Sequence, residues 1–362
     1  MQQRLIAQRI IFNIVGLSFV FILSALCVGA AVGYVLQRGR GCTNTAFRNI
    51  FLIGNLELAL MLVVVVTIEI MGYFFLSLDV IPGFTFSENP IPLSYILVPV
   101  GGFLFGLGTV FAGGCAGGTC YRIGEGSAAS VLAFVGYAGG IGLVGVILKS
   151  QVDLFRAKTL VTINGQTPTL DLFLPRWVWT IVAALVLSLT LLYYKHLHDT
   201  NKLKLQHLLP RWTPILTGLI LGLLGITARY FSTLSGRSFG LSTTDGIAEI
   251  FQTVLFIGSM GWAGYMIVGL ILGSALSATL GREFTLSFPS ATELIRFFGG
   301  GLLLGIGAML GLGCNFGHIF GGMPELGISS FISVVFMMLG NWTASSWFYN
   351  RLGHELPLST PA

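Results

Sequence analysis

Charged residues are scarce in this chain. Only 9% of its 362 residues are Asp, Glu, Lys or Arg, whereas an average soluble domain carries about 25%. This scarcity argues against a soluble globular protein. The net charge of +5 comes from basic residues scattered at the ends of apolar segments. The chain therefore lacks the clustered basic surface with which proteins bind nucleic acid.

Cysteine pairs at close spacing are also missing. None of the five cysteines forms a C-x-x-C pair, which argues against a disulfide framework. A metal site would need thiolates together with histidines or further cysteines at ligand spacing. The scattered thiols and the single nearby His318 fit such a site poorly. We therefore expect no metal and no other cofactor.

Long apolar runs, by contrast, recur from end to end, and 54% of the residues are hydrophobic. A helix needs about 17 to 25 apolar residues to cross a bilayer. The sequence predicts nine such spans, at 10–36, 50–76, 93–111, 127–148, 177–194, 213–231, 260–280, 296–312 and 328–349. The first run shows no clear small-residue cleavage site, so we interpret it as a retained helix. The predicted fold class is an all-α polytopic membrane protein.

Four glycine-rich segments interrupt this pattern, at residues 37–49, 112–126, 232–258 and 313–327. The chain has 49 glycines, well above the roughly 7% of an average protein. A bent backbone at membrane depth is tolerated only where it is buried in protein or lines a cavity. We therefore predict four short broken or re-entrant segments, which we call the breaks, along a transport path.

The two halves of the sequence are related. F-G-L-G at 105–108 matches L-G-I-G at 304–307, which begins 199 positions later, and the same offset takes Cys115 to Cys314. An odd number of spans separates the copies, so they are expected to insert in opposite directions. This inverted-topology repeat is the plan of many transporters, whose broken helices meet near the midplane.

The repeat predicts a division of the chain. Residues 1–150 form the first repeat with two cytoplasm-facing breaks, and residues 213–362 form the inverted second repeat. Residues 151–212 connect them through a loop, one span and a basic loop at 195–212. Because basic loops stay in the cytoplasm, the N-terminus is expected outside and the C-terminus inside.

Cysteines in the breaks are the leading functional candidates. Cys115 and Cys314 occupy equivalent repeat positions in glycine-rich backbone, and Cys42 lies in the first break. Cys120 is interpreted as a neighbour of the path, and Cys27 as a packing residue in the middle of a span. Thiols are weak donors and soft acceptors. A soft anion fits them better than a metal or a dithiol reaction does, because neutral thiols donate to it without repelling it.

Polar and glycine residues in the same breaks complete the candidate set. Arginines favour a negative ion, and we expect Glu125 to pair with Arg122 in a structural role. The predicted path residues are Cys42, Cys115, Cys314, Arg40, Arg122, Gly114, Gly313 and Thr119. The secondary candidates are Cys120, Glu125, Arg237, His318 and Asn315.

The break motifs resemble a known family. Q-R-G-R-G-C at 37–42 followed by F-R at 47–48, G-G-C-A-G-G-T-C-Y-R-I-G-E-G at 113–126 and G-C-N-F-G-H at 313–318 are similar to the signatures of the YeeE/YedE family of bacterial membrane proteins. The resemblance implies nine spans, four short inward-pointing segments and thiosulfate uptake across the bacterial inner membrane. Its functional cysteines map onto Cys42, Cys115 and Cys314, which would relay the ion by S–H hydrogen bonds.

Three positions depart from that family pattern. Gly41 stands where the family often has an aromatic residue, Asn49 where an aspartate often follows F-R, and Leu312 where a glycine often precedes G-C. A related branch is linked to selenium metabolism, so another sulfur or selenium oxyanion is an alternative substrate. The resemblance also implies a small cytoplasmic sulfur-carrier partner of the TusA type, besides contact with membrane lipid.

The sequence therefore predicts a thiosulfate importer that is not an enzyme. Two alternatives of another class stay open. A membrane thiol oxidoreductase would use a reactive pair such as Cys115 and Cys120, and a sulfur transferase would take sulfur from thiosulfate onto a thiolate.

Overall fold

Helices make up nearly all of the structure. The computed structural model describes residues 2–78, 81, 84–199, 212–256 and 259–352. Nine helical segments within these ranges are long and apolar enough to cross a membrane. The prediction of an all-α polytopic membrane protein is confirmed. Much of the basic loop, including Lys202, Lys204 and Arg211, lies outside the described residues.

The elements follow the chain in a simple order. The helices are α1 (Gln2–Gly39), α2 (Thr43–Ile53), α3 (Glu57–Leu76), α4 (Leu97–Phe111), α5 (Ala116–Gly124), α6 (Ala128–Gly142), α7 (Lys149–Thr159), α8 (Arg176–Asp199), α9 (Pro214–Leu234), α10 (Thr243–Phe256), α11 (Trp262–Leu280), α12 (Ala291–Gly311), α13 (Asn315–Gly317) and α14 (Ile328–Leu352). Two π-helical turns, Leu143–Ile147 and His318–Gly322, extend α6 and α13. The two-residue strands β1 (Leu93–Ser94) and β2 (Leu160–Val161) pair antiparallel.

Glycines bring the long helices into backbone contact. A Cβ at Gly33 of α1 would overlap the carbonyl oxygen of Leu270 on α11, and one at Gly273 would overlap that of Ala30. Lipid gives helices no hydrophobic reason to associate, so small residues that permit close packing stabilise the pair instead. The glycine richness of the sequence has this packing role as well as its role in the breaks.

The four predicted breaks each contain a reversal and a short helix, namely α2, α5, α10 and α13 with its π turn. Left-handed backbone makes the reversals: φ is 48° at Arg40, 69° at Gly113 and 86° at Gly236, and it is 63° at Leu312, directly before the fourth break. Gly113 and Leu312 stand 199 positions apart. Leu312 therefore adopts, at some strain, a conformation that glycine takes freely.

Some predicted boundaries were wrong. Residues 50–53 belong to α2, and the second span begins at Glu57 instead. The segment at 149–176, predicted as a polar loop, contains the helix α7 and the strand β2. The strand β2 pairs with β1, which occupies the start of the predicted third span. Mixed charge in α7 hid its helical character, because a short surface helix has no long apolar run.

A buried ion pair ties α9 to the loop before α14. Arg229 and Glu325 are 0% and 1% exposed, and their Nη2 and Oε1 atoms are 2.8 Å apart. Arg229 also donates to the Ser87 carbonyl and lies over the rings of Phe86 and Tyr73. The guanidinium is thus held by charge, hydrogen bonding and aromatic faces together.

Because of Glu325, we expect the protein to be more stable in mildly acidic solution than at pH 8. The residue lies between two membrane spans, and burial raises the pKa of its carboxyl to about 7. An acid whose pKa is higher in the folded state takes up its proton there first, so lowering the pH from about 8 toward 5 stabilises the fold. Thermal unfolding in detergent should show a higher midpoint at pH 5.5 than at pH 8. Glu325→Gln should lose this difference in part; an unchanged difference would contradict the assignment.

Candidate functional site

Two thiols meet at the first pair of breaks. Cys42 and Cys115 precede the first residues of α2 and α5, and extended backbone at each cysteine aims its side chain across the helix start. Their Sγ atoms are 3.7 Å apart, within reach of an S–H···S hydrogen bond, and the two residues are 1% and 0% exposed. The Gly118 amide donates to Cys115 Sγ at 3.2 Å. The thiols are therefore buried, adjacent and oriented.

Gly118 provides the room for this pair. A Cβ at that position would lie 3.0 Å from Cys42 Sγ and 3.1 Å from Cys115 Sγ, closer than ordinary contacts. The glycine is needed here for close approach, although alanine is the better helix former.

On the predicted thiol path, Gly118→Ala is expected to lower transport at least about tenfold, because the added Cβ would push the two thiols out of hydrogen-bonding distance. Uptake of labelled substrate by cells with matched membrane levels of protein measures this. Gly299→Ala is the control, since its added Cβ meets no atom within 4 Å and the site also lies in a helix. Equal uptake by the two variants would show that the thiol spacing does not matter.

The third thiol lies at the second pair of breaks. Cys314 precedes α13 and accepts from the Gly317 amide at 3.4 Å, as Cys115 does from Gly118. Its Sγ contacts the hydroxyl of Thr243 at 3.0 Å, at the start of α10. Cys314 is thus paired with a hydroxyl, whereas Cys115 is paired with a second thiol.

Sequence reasoning missed Thr243. The only signal was L-S-T-T at 241–244, which aligns with G-C-T-N at 41–44 at an offset of 200 rather than 199. Cys120 lies within electrostatic range of Cys314. Tyr137 lies in the same surroundings and its hydroxyl pairs with that of Thr244 at 2.8 Å.

The breaks of the two halves touch each other. Asn315 Nδ2 donates to Thr43 Oγ1 at 2.7 Å, and a Cβ at Gly117 would overlap the ring of Phe316. The hydroxyl of Thr119 and the Oδ1 atom of Asn315 are buried without a hydrogen-bond partner among the described residues. The starts of the short helices therefore converge on one buried region that holds polar atoms free to contact a ligand.

Arg40, two residues before Cys42, lies among acidic and amide side chains. It pairs with Glu125 at 2.7 Å and Glu283 at 2.9 Å, and Gln37 donates to the same two carboxylates. We call these four residues the Arg40 network. Burial raises the pKa of the Glu125 carboxyl, which Arg40 opposes. Arg40 is thus paired rather than free, and sequence reasoning missed Gln37 and Glu283.

Arg122 makes a different contact from the one predicted. Its Nη1 donates to the Gly113 carbonyl, and Glu125 bonds with Arg40 rather than with Arg122. The predicted pair was therefore wrong. Arg122 lies within electrostatic range of Cys42, and a Cβ at Gly114 would be 3.4 Å from the guanidinium. Arg122 is thus bonded to backbone, while its charge is near enough to act on Cys42.

His318 fastens the other break. Its Nε2 bonds with the Gly311 carbonyl at 3.2 Å and its Nδ1 with the Ser330 hydroxyl at 3.1 Å. Since a carbonyl only accepts, Nε2 carries a hydrogen, and in the neutral imidazole Nδ1 then accepts from the Ser330 hydroxyl. Gly313 lies against this ring, where a Cβ would be 3.2 Å from Nε2. His318 therefore fixes backbone in this structure.

A cavity of about 440 Å³ opens beside the second pair of breaks. Its lining includes Asn89, Arg156, Arg237, Phe239, Ser242, Asp245 and Leu312, and we call it the Arg237 cavity. Arg237 pairs with Asp245 and donates to the Gly240 carbonyl at 2.8 Å, so it braces the break while lining the cavity. Arg156, on α7, was missed because its segment was predicted as a loop.

No cluster of three or more His, Cys, Asp or Glu side chains suited to a metal ion occurs among the described residues. All five cysteines lie among the described residues, and none of them forms a disulfide. The chemistry of the site is therefore that of thiols, hydroxyls, amides and helix starts.

Comparison with known proteins shows to which family the chain belongs. The model of the sulphur transport family matches residues 38–343, which include the four breaks except for residue 37. The chain belongs to this family. The resemblance of its motifs to YeeE/YedE proteins is confirmed, and because the family and the curated relatives are transporters, the prediction that the chain is not an enzyme is confirmed as well.

Two similar proteins extend over nearly the whole chain. The thiosulfate transporter TsuA of Spirochaeta thermophila is 35% identical over 91% of this chain and 99% of its own length. The thiosulfate transporter TsuA of Escherichia coli is 32% identical over 95% of this chain and 99% of its own length. The probable transporter YedE of Escherichia coli is 31% identical over only 28% of this chain and 24% of its own length.

Proposed function

We propose that this protein imports thiosulfate. The observation that carries the proposal is the set of three buried thiols, each at the start of a short helix, in a chain similar along nearly its full length to proteins named as thiosulfate transporters. Thiosulfate is a dianion with a soft terminal sulfur. Neutral S–H groups donate to it without adding negative charge, so they suit passage better than carboxylates do.

The proposed path runs from Cys314 to Cys115 and then to Cys42. The amides of Gly317 and Gly118 donate to Cys314 and Cys115, so the hydrogen of each thiol is free to point toward the ion. Cys42 stands 3.7 Å from Cys115 and receives the ion next. The ion would thus move between neighbouring donors by exchanging weak hydrogen bonds, without a large rocking motion.

Positive potential supports the same path. The starts of α2, α5 and α10 converge near the thiols, and helix N-termini favour anions through their free amides. The cations Arg48 and Arg122 lie near enough to Cys42 to make the electrostatic potential there more positive. Arg40 lies beyond the thiols in the Arg40 network, whose ion pairs close that end of the path and must rearrange for release.

The proposed membrane arrangement follows the repeat. The halves 1–150 and 213–362 form an inverted repeat joined by 151–212, with the Arg40 network toward the cytoplasm and the Arg237 cavity outside. The N-terminus is then outside and the C-terminus inside, in the bacterial inner membrane and in contact with its lipid. A small sulfur-carrier protein of the TusA type is the proposed cytoplasmic acceptor, on the strength of the family resemblance.

Growth tests the substrate. A bacterium without its own thiosulfate and sulfate importers is supplied with thiosulfate as sole sulfur source and with this chain as importer. Wild type should restore growth. Growth on sulfate but not on thiosulfate, or uptake of labelled selenite without uptake of labelled thiosulfate, would keep the transporter and replace the substrate by another sulfur or selenium oxyanion.

One observation favours a second function, thiol redox or sulfur-transfer chemistry. The 3.7 Å between Cys42 and Cys115 is close enough for a disulfide after a small movement, whereas Cys120, the partner suggested by sequence, lies near Cys314 instead. Mass spectrometry after transport separates the functions. A Cys42–Cys115 disulfide or a persulfide on Cys115 that forms at the rate of uptake would favour this chemistry, and unmodified thiols during sustained uptake would oppose it.

A further inference from the structure

A buried carboxyl that the thiol path does not use lies in the middle of α3. Glu69 is 0% exposed, and neither of its carboxyl oxygens has a hydrogen-bond partner among the described residues. Gly225 on α9 faces it, and a Cβ there would overlap Oε1, so the glycine leaves space for the acid. An ionised carboxylate buried alone is very unfavourable, and such a group holds a proton instead.

Several polar groups lie between this carboxyl and the Arg237 cavity. Tyr73, one turn along α3, lies within electrostatic range of Glu69, and Arg229 stands 5.7 Å over its ring. Arg229 pairs with Glu325 at 2.8 Å, and Glu325 accepts from the backbone N–H of Asn89 at 3.1 Å. Asn89 lines the cavity. Polar groups therefore extend from the cavity as far as Tyr73, which lies near Glu69 without a hydrogen bond to it.

The same series touches the breaks that hold the third thiol. The Tyr73 hydroxyl donates to the Phe320 carbonyl at 3.3 Å, in the π turn that follows α13 and Cys314. A Cβ at Gly240 would lie 2.5 Å from that hydroxyl, in the break that Arg237 braces. Tyr73, a neighbour of Glu69, thus contacts both breaks near Cys314. A change of charge at Glu69 therefore acts close to the proposed path.

We propose that Glu69 is an intramembrane proton-binding site and that its proton enters the cell together with the imported anion. The proposal rests on the proposed function. Moving a charge against 100 mV is about 50-fold unfavourable per elementary charge, and thiosulfate carries two negative charges. Each proton that accompanies the ion cancels one charge. Glu69 takes the proton from the side of the Arg237 cavity and gives it up to the cytoplasmic side, with no bond of the anion broken.

The charged and titratable groups around Glu69 come from every element packed against α3. They include Tyr73 on α3 itself, Arg229 on α9, Arg176 on α8, Arg48 on α2 and His318 in the π turn, with Glu88, Arg237 and Glu325 in the neighbouring loops; of these, Tyr73 is the group that the charge of Glu69 influences directly. Arg229 is already paired with Glu325, and His318 has both ring nitrogens bonded. Glu69 is the carboxyl in this group without a bonded partner among the described residues.

The test uses the purified full chain in proteoliposomes that contain a pH-sensitive dye, with the membrane potential held at zero by potassium and valinomycin. Addition of thiosulfate should acidify the lumen, and an outside that is one pH unit more acidic should raise the initial rate of labelled thiosulfate uptake several-fold over the rate at equal pH. The ratio of these two rates is the readout. Glu69→Gln, which keeps the shape of the protonated acid, should bring the ratio to about one and abolish acidification.

Glu57→Gln is the matched control, because Glu57 stands in the first turn of the same helix with its carboxyl only partly buried, and this variant should keep the wild-type ratio. Uptake by wild type without acidification, or a Glu69→Gln ratio equal to that of wild type, would overturn the proton site alone. No thiosulfate uptake at any gradient would overturn the proposed substrate and this inference with it. If Glu69→Gln does not fold, the acidification and the rate ratio measured with wild type still test whether a proton accompanies the anion.

Discussion

Cys115→Ala should lower thiosulfate uptake about 10- to 100-fold while the protein still inserts in the membrane. Cys115 is the thiol that contacts both a helix amide and a second thiol, so its loss removes the donor in the middle of the proposed path. A hydrogen bond to a charged partner contributes about 1.5 to 3 kcal/mol, which corresponds to that range of rates. Initial uptake of labelled thiosulfate, normalised to protein in the membrane, measures the effect.

Two further variants make the result specific. Cys27→Ala changes an exposed cysteine of α1 and should transport as wild type does. Cys115→Ser restores a donor of similar shape and should recover part of the rate, because a hydroxyl also donates to an anion. Uptake by Cys115→Ala equal to that by Cys27→Ala would show that the buried thiol only packs.

Arg229→Met should produce the largest loss of stability. It removes the cation from a pair that is almost fully buried and leaves Glu325 without it. Breaking a buried pair from one side typically costs about 3 to 5 kcal/mol, and it lowers the midpoint of thermal unfolding by roughly 5 °C in a protein of this size. Unfolding of the purified protein in detergent at pH 8 measures this shift.

A second substitution identifies the cause. Arg229→Met combined with Glu325→Gln removes both charges, so the double variant should be more stable than Arg229→Met alone. The loss in the single variant should also shrink at pH 5.5, where Glu325 is protonated. A double variant that is no more stable than Arg229→Met, with a pH-independent loss, would attribute the effect to lost packing.

The sequence predicted the membrane class, the number of spans and the positions of the breaks, because long apolar runs and glycine clusters are local signals. It also singled out Cys115 and Cys314 through the 199-residue offset. Both proved to precede short helices with the same amide contact. Local chemistry that repeats along the chain is therefore readable without a structure.

Partners across the fold were not readable in the same way. Glu283 reaches Arg40 from 243 positions away, and Thr243 reaches Cys314 only because α10 docks beside α13. The predicted Arg122–Glu125 pair was wrong because Arg122 turns toward the Gly113 carbonyl, while Glu125 faces Arg40. In each case tertiary packing, rather than spacing along the chain, decides which polar groups meet.

The central question is whether thiosulfate passes intact. Labelling its two sulfur atoms separately answers this question. Proteoliposomes receive thiosulfate labelled either at the terminal sulfur or at the sulfonate sulfur, and the initial uptake of the two labels is compared. Passage between neutral thiols predicts equal rates, with no label left on the protein after washing. Terminal label held on the protein and released by a reducing thiol, with sulfonate label left outside as sulfite, would contradict the account and establish sulfur transfer instead.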